Sequence, residues 1–191
     1  MRIFTNNTLL LVVSLAFFCT IPLFAQTNTQ HKETLWEELI PDGYSIERVY
    51  EKYQDQISQA PEGSDEAFAL FEKVMAELNS APLNDKIKNS YIKIPGFIAP
   101  LDQDGESINE FLLVPYFGAC VHSPPPPLNQ TVYVKVSTKD GISLEDSFLP
   151  IWIYGKIQTT GKKTEIGNAG YSIAEAQIEP YLEEEPTDTP Q

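Results

Sequence analysis

The sequence predicts a mainly β protein: a small five-stranded, OB-like barrel preceded by a short α-helical N-terminal extension. Three observations carry this. From Tyr91 onward, five runs rich in Ile, Val, Tyr and Trp are separated by turn-forming clusters, as in short-stranded barrels. Between Ser45 and Leu78 the apolar residues recur instead at the helical period. The change of character falls near Pro82, which places the extension at 26–82 and the barrel at 83–182.

The first segment reads as an address. Met1-Arg2 gives a positive start, and Leu9 to Phe18 is an apolar run interrupted by Ser14. That run is shorter than the ~20 residues a bilayer span needs, and it matches a signal-peptide core. Cleavage after Ala25 is expected, giving a signal peptide over 1–25 and an exported, soluble, periplasmic or secreted chain without a membrane span. Phe17-Phe18 stand where a lipoprotein signal needs small residues, so Cys19 is not expected to carry lipid. Cys120 is then the only cysteine left, and no internal disulfide can form.

Gln26 to Lys32 is polar and expected to be a disordered tail. Leu35 to Ile40 reads as a short helix stopped by Pro41-Asp42-Gly43. Ser45 can cap the next helix, whose apolar face is Ile46, Val49, Tyr50, Tyr53 and Ile57. Pro61-Glu62-Gly63 breaks it. Ser64-Asp65-Glu66 opens a third helix, with acidic groups at the favourable end and Phe68, Phe71, Met75 and Leu78 as its expected buried stripe.

The first strand covers Tyr91 to Ala99, bent at Pro95-Gly96, and Asp102-Gln103-Asp104-Gly105 makes a turn. Ile108 to Val114 is a second strand, apolar enough to be buried on both faces. Strands at 131–136, 151–157 and 171–178 follow, with a Gly/Lys-rich loop before the last. Gly161, Gly167 and Gly170 have the spacing of turns. The acidic, proline-containing 183–191 is expected to be a disordered tail.

The chain has 191 residues and a formal net charge of −14, which becomes −15 once Arg2 is removed. With no basic run, this argues against nucleic acid or an anionic membrane surface as partner. Two histidines in the whole chain leave no Ser/His/Asp set, and no phosphate-binding glycine loop is visible.

The informative stretch is Pro115 to Gln130. Pro124, Pro125, Pro126 and Pro127 force an extended, donor-free strap that cannot lie inside a sheet. It follows Cys120 and His122. In an extended backbone Cys-x-His places thiol and imidazole on one face, the ligand chemistry of zinc or copper. A closed zinc site needs about four ligands. Asp102, Asp104, Glu106, Glu110 and His31 are the remaining candidates, none with diagnostic spacing. Cys120 as a small buried apolar group is the competing reading. A cysteine-dependent enzyme is a third, weakened because neighbours two apart on a strand rarely form a nucleophile–base pair. The strap also suits protein docking, since proline segments bind aromatic grooves at low entropic cost. On that reading the contacts are Tyr116, Phe117, Pro124–Pro127, Asn129 and Gln130. Alternatively, these aromatics pack over the barrel end. Asn129-Gln130-Thr131 also fits a glycosylation triplet.

The run Glu110 to Gln130, read as F-L-L-V-P-Y-F-G-A-C-x-H-x-P-P-P-P-x-N-Q from Phe111, resembles the signature of an uncharacterised family of exported bacterial proteins containing a domain of unknown function. Ile94-Pro95-Gly96-Phe97, Pro100-Leu101, Gly167 to Ser172, Ile178 to Tyr181 and Trp36 to Pro41 are similar to it as well. Where the family commonly has Ile and Val, this chain has Val121 and Ser123. The resemblance implies a periplasmic or lipoprotein component, often encoded beside ABC-type permeases of the lipoprotein-release or macrolide-export kind, sometimes in zinc-responsive clusters, and brings no catalytic residues. The combined expectation is a non-enzymatic exported accessory or binding protein of an ABC-type envelope transport system, with a permease as candidate partner. Zinc or copper binding through Cys120 and His122 is the alternative.

Overall fold

The computed structural model describes residues 30–101, 107–120 and 123–182. The signal-peptide and acidic-tail expectations therefore lie outside the described residues, as do the Asp102–Gly105 turn and His122.

Among the described residues, eight strands and two α-helices follow in chain order: β1 (Lys32–Glu33), α1 (Ile46–Gln59), α2 (Asp65–Leu78), β2 (Tyr91–Pro100), β3 (Glu110–Val114), β4 (Val132–Val136), β5 (Ile151–Gln158), β6 (Lys162–Lys163), β7 (Asn168–Ala169) and β8 (Tyr171–Pro180). The long strands run in the order β2-β3-β4-β8-β5, and β5 pairs back onto β2, closing a five-stranded barrel. All neighbours are antiparallel except β4 and β8. This is the OB-like arrangement that short, turn-separated strands imply.

β2 serves two partners. Tyr91–Gly96 pairs with β5, and Phe97–Pro100 pairs with β3. The switch comes at the Pro95-Gly96 bend, where a Cβ on Gly96 would stand 2.8 Å from the Val114 carbonyl oxygen. Glycine is what lets β3 approach there. β3 is buried on both faces, as its apolar run requires. Phe111 and Leu113 point into the barrel with Ile94, Val134, Ile153 and Ile173, while Leu112 and Val114 join Ala99, Ala119 and Ala169 outside it.

The N-terminal extension has two parts. Trp36–Leu39 forms a single 3-10 turn, tighter than the expected helix, and buries Leu39 over the barrel core. Tyr171 pins it, because its buried hydroxyl donates to the Leu39 carbonyl (2.5 Å) and accepts from the Asn84 N–H (2.6 Å). The polar stretch expected to run free through Lys32 is instead ordered from residue 30, and β1 adds in parallel to β2.

The second part is the α1/α2 hairpin, capped at Ser45 and Ser64 as the sequence indicates. Its seam is Val49, Val74 and Leu78, with Tyr44, Ile46, Tyr53 and Met75 packed alongside. The expected α2 stripe is half wrong. Leu70, Val74 and Leu78 are buried, whereas Phe68 and Phe71 are 63% and 50% exposed. On α1, Tyr50 and Ile57 are also exposed. α2 is apolar over so wide an arc that the period fits Leu70/Val74/Leu78 as well as Phe68/Phe71/Met75, and only the packing of α1 decides between them.

The Gly/Lys-rich loop is a small β6–β7 hairpin rather than a plain loop. Its glycines do more than turn. A Cβ on Gly170 would stand 2.6 Å from the Leu128 carbonyl oxygen, and one on Gly167 would be 3.1 Å from Pro125 Cβ and 3.4 Å from Cys120 Sγ.

Candidate partner-docking loop

The segment after β3 leaves the barrel at Pro115 and returns at Val132. Its turn is built at Gly118, φ 80°, and Cys120, φ 67°. The Ser123 N–H donates to the Gly118 carbonyl at 3.2 Å. A left-handed non-glycine residue costs about 1–2 kcal/mol, so Cys120 needs support from its surroundings. It packs with Ala99, Leu112, Ala119 and Ile166 on the outer side of β3. Burial pushes its thiol up to about 11, so the sulfur is protonated and uncharged at neutral pH. Cys120 thus sits in the environment of a small apolar packing group.

Of the residues considered as further metal ligands, Glu110 is engaged elsewhere. Its carboxylate accepts from Tyr133 Oη and Lys135 Nζ, both at 2.6 Å, with Lys162 Nζ at 3.6 Å. These partners hold its carboxyl down at about 2, Lys135 contributing most. His31 sits edge-on between Tyr91 (5.7 Å) and Tyr154 (5.5 Å). Among the described residues no group of three or more His, Cys, Asp or Glu side chains is placed to hold a metal ion. His122, Asp102, Asp104 and Glu106 lie outside them.

The proline strap is fixed at its far end. Pro124 is exposed, Pro125 and Pro127 are half-buried, and Pro126 is buried. Pro127, at φ −54° and ψ 155°, keeps the extended polyproline form and leads into a 3-10 turn over Leu128–Gln130. Asn129 is fully buried and donates from Nδ2 to the Pro82 carbonyl at 3.1 Å. Gln130, also buried, donates from Nε2 to the Trp36 carbonyl at 2.8 Å. Gly170 N–H donates to the Leu128 carbonyl at 2.8 Å. Asn129, Gln130 and Pro126 therefore do not face a partner, contrary to the sequence expectation. They are internal braces tying the strap to the N-terminal extension and to β8. The burial of Asn129 also removes the glycosylation triplet from the surface.

What the braced loop presents is Tyr116 and Phe117, 47% and 58% exposed. Phe117 is seated edge-on against Phe97, centroids 5.9 Å apart. Partial burial raises the pKa of the Tyr116 phenol, with further contributions from neighbouring Tyr50 and Cys120. Tyr50 belongs to α1. On the hairpin, Lys52 and Tyr53 reach Glu77 at 2.7 and 2.9 Å and close one side of the seam. The helical period places Tyr50 and Ile57 of α1, and Phe68 and Phe71 of α2, on the other side. Tyr116 and Phe117, offered by the sequence as contact residues, are exposed, whereas the four hairpin residues were expected on buried or apolar faces. The signal available was surplus: α2 holds more large apolar side chains than one seam can bury.

Fold and site together define a class: a small OB-like barrel carrying a helical hairpin and a braced, aromatic-tipped proline loop. The chain belongs to the DUF3299 family, described as "Protein of unknown function (DUF3299)", whose model matches residues 36–180. A crystal structure of a DUF3299 family protein from Pseudomonas aeruginosa PAO1 is 30% identical, covering 82% of this chain and 99% of that one, with a TM-score of 0.61. No curated protein matches the chain. Among the described residues no helix is long and apolar enough to cross a membrane.

Proposed function

We propose that this protein is a non-enzymatic, exported accessory protein that docks an envelope protein through its aromatic surface. The observation that carries the reading is the run of exposed aromatics. Tyr116 and Phe117 are exposed on a loop whose far end is braced, and Tyr50, Phe68 and Phe71 are exposed on the hairpin. Exposed apolar surface of this kind is a hallmark of protein contact sites, and aromatic anchors contribute most where they are held rigid before binding. Bracing by Asn129, Gln130 and buried Pro126 supplies that preorganisation. The partner we favour is the external domain of an ABC-type permease, which is the association the family resemblance implies. The net charge of −14, or −15 without Arg2, favours a partner patch with an apolar centre and a basic rim.

Export rests on the charged-apolar-small order of residues 1–25. The neutral, half-buried Cys120 thiol supports a structural role for the one cysteine of the exported form. The test is co-purification of tagged wild type and a Tyr116→Ser/Phe117→Ser double variant from envelope extracts. The wild type is expected to retain a permease component that the variant loses, at equal thermal stability. Equal recovery by both removes the reading.

A further inference from the structure

A second surface lies on the outer face of β5 and β8, and it is unlike the first. A groove of about 830 Å³ opens there, within the ~300–1,000 Å³ range of small-ligand sites. A backbone irregularity lies within it. On β8, Ala174 pairs with Lys135 and Ala176 with Val136, so Glu175 is an extra residue in the ladder. Against β5 the register also shifts, from Tyr154↔Gln177 to Ile157↔Ile173. Glu175 adopts φ 54° in the middle of a strand. Bulges of this kind re-aim side chains and cluster at functional sites. Gly155 lies opposite, where a Cβ would meet Ile173 Cγ2 at 2.3 Å, so a larger residue there would force Ile173 to move.

The lining narrows the occupant. Its aliphatic content is limited to Ala174, which argues against a lipid or an apolar peptide side chain. Glu175 and Glu179 face it within a strongly acidic chain, which disfavours a polyanion. A further cation would meet like charge: Lys156 Nζ stands 5.9 Å from the Tyr91 centroid, and Lys93 Nζ, seated over Trp152 at 3.9 Å, is 5.8 Å from that of Tyr154, both too far to lie against the tyrosine face. Glu179 is engaged by the Tyr154 hydroxyl at 2.6 Å. What remains is a set of aromatic rings beside planar amides and hydroxyls. Tyr91, Tyr154 and His31 offer flat apolar surface. Gln158 and Gln177 supply both donors and acceptors, and the Thr160–Ser172 hydroxyl pair (2.8 Å) does the same. That combination suits a ligand with apolar C–H faces and a rim of hydroxyls.

We infer that the β5–β8 groove is a binding site for a neutral oligosaccharide, with its sugar rings on Tyr91 and Tyr154 and its hydroxyls on Gln158, Gln177 and Glu179. The site is separate from the docking loop, and its success or failure leaves that reading untouched. The test is calorimetric titration of the purified protein with cellotetraose, maltotetraose and chitotetraose, and with spermidine as a cationic probe. Saturable binding of at least one tetrasaccharide is expected. Tyr91→Ala should weaken it about tenfold, the size of one aromatic contact. Gln177→Ala, an exposed residue whose loss should not disturb folding, should weaken it by a smaller, measurable factor. The Tyr116→Ser/Phe117→Ser variant should bind as wild type does. No saturable binding of any of the three sugars, unchanged affinity in either groove variant, or spermidine binding with the same dependence overturns the inference.

Discussion

Cys120 shows how a residue's chemistry is set by its surroundings. Thiol and imidazole separated by one residue suggest ligation or catalysis, but the sulfur is packed beside Leu112 and Gly167 and pushed up to about 11. Reaction requires thiolate. Alkylation by iodoacetamide at pH 7.5 should run roughly two orders of magnitude slower than for a free thiol with a pKa near 8.5. It should rise about tenfold per pH unit and level off only near pH 11, and it should accelerate on addition of denaturant. A rate close to that of free cysteine contradicts this. Glu110 is the opposite case. Lys135 and Tyr133 hold its carboxyl at about 2, below the ordinary 4.5. Because the folded value is depressed, its stabilising contribution is complete above about pH 4.5 and is lost as pH falls through about 2. The side chain is about a third exposed, so screening reduces the contribution to about 1 kcal/mol. Glu110→Gln should lower the melting temperature at pH 7 and flatten its fall between pH 4.5 and pH 2. An unchanged profile would show that the cluster contributes nothing.

Helices and loops carry the division between architecture and surface. Val74→Ala, in the α1/α2 seam, should cost about 2 kcal/mol in chemical denaturation. Phe68→Ser and Phe71→Ser should stay within about 0.5 kcal/mol of wild type, because both rings already face solvent. Losses of comparable size at all three positions would put the phenylalanines back in the core. Asn129→Ala should cost about 1–3 kcal/mol, because it leaves the Pro82 carbonyl and a buried cavity unsatisfied. These contrasts mark how far the sequence could be read. The caps at Ser45 and Ser64, the bend at Pro95-Gly96 and the double burial of β3 follow from local chemistry and alternation, and each is found where the residues indicate. The roles of Asn129 and Gln130 were hidden because their partners, Pro82 and Trp36, are 47 and 94 residues away. The face of α2 was hidden because its apolar arc fits two rotations. The bulge at Glu175 had no local signal, since glutamate gives no hint of a positive φ.

For the molecule as a whole, the closed barrel is a scaffold for two surfaces of different chemistry. One is aromatic and spans the loop after β3 and the helical hairpin. The other is a polar groove over β5 and β8. The first surface, on the proposed reading, uses the exposed rings of both loop and hairpin: Tyr116 and Phe117 with Tyr50, Phe68 and Phe71. The hairpin has its own small apolar cluster, so its two helices are held together as a unit. A docking role built on that first surface is most directly tested by photo-crosslinking in intact cells, with a photoreactive phenylalanine analogue at position 117 and, as a control, at position 177. The account predicts a discrete adduct with one envelope protein from position 117, abolished by Phe68→Ser/Phe71→Ser, and no such adduct from position 177. No adduct from 117, or the same adduct from both positions, contradicts it.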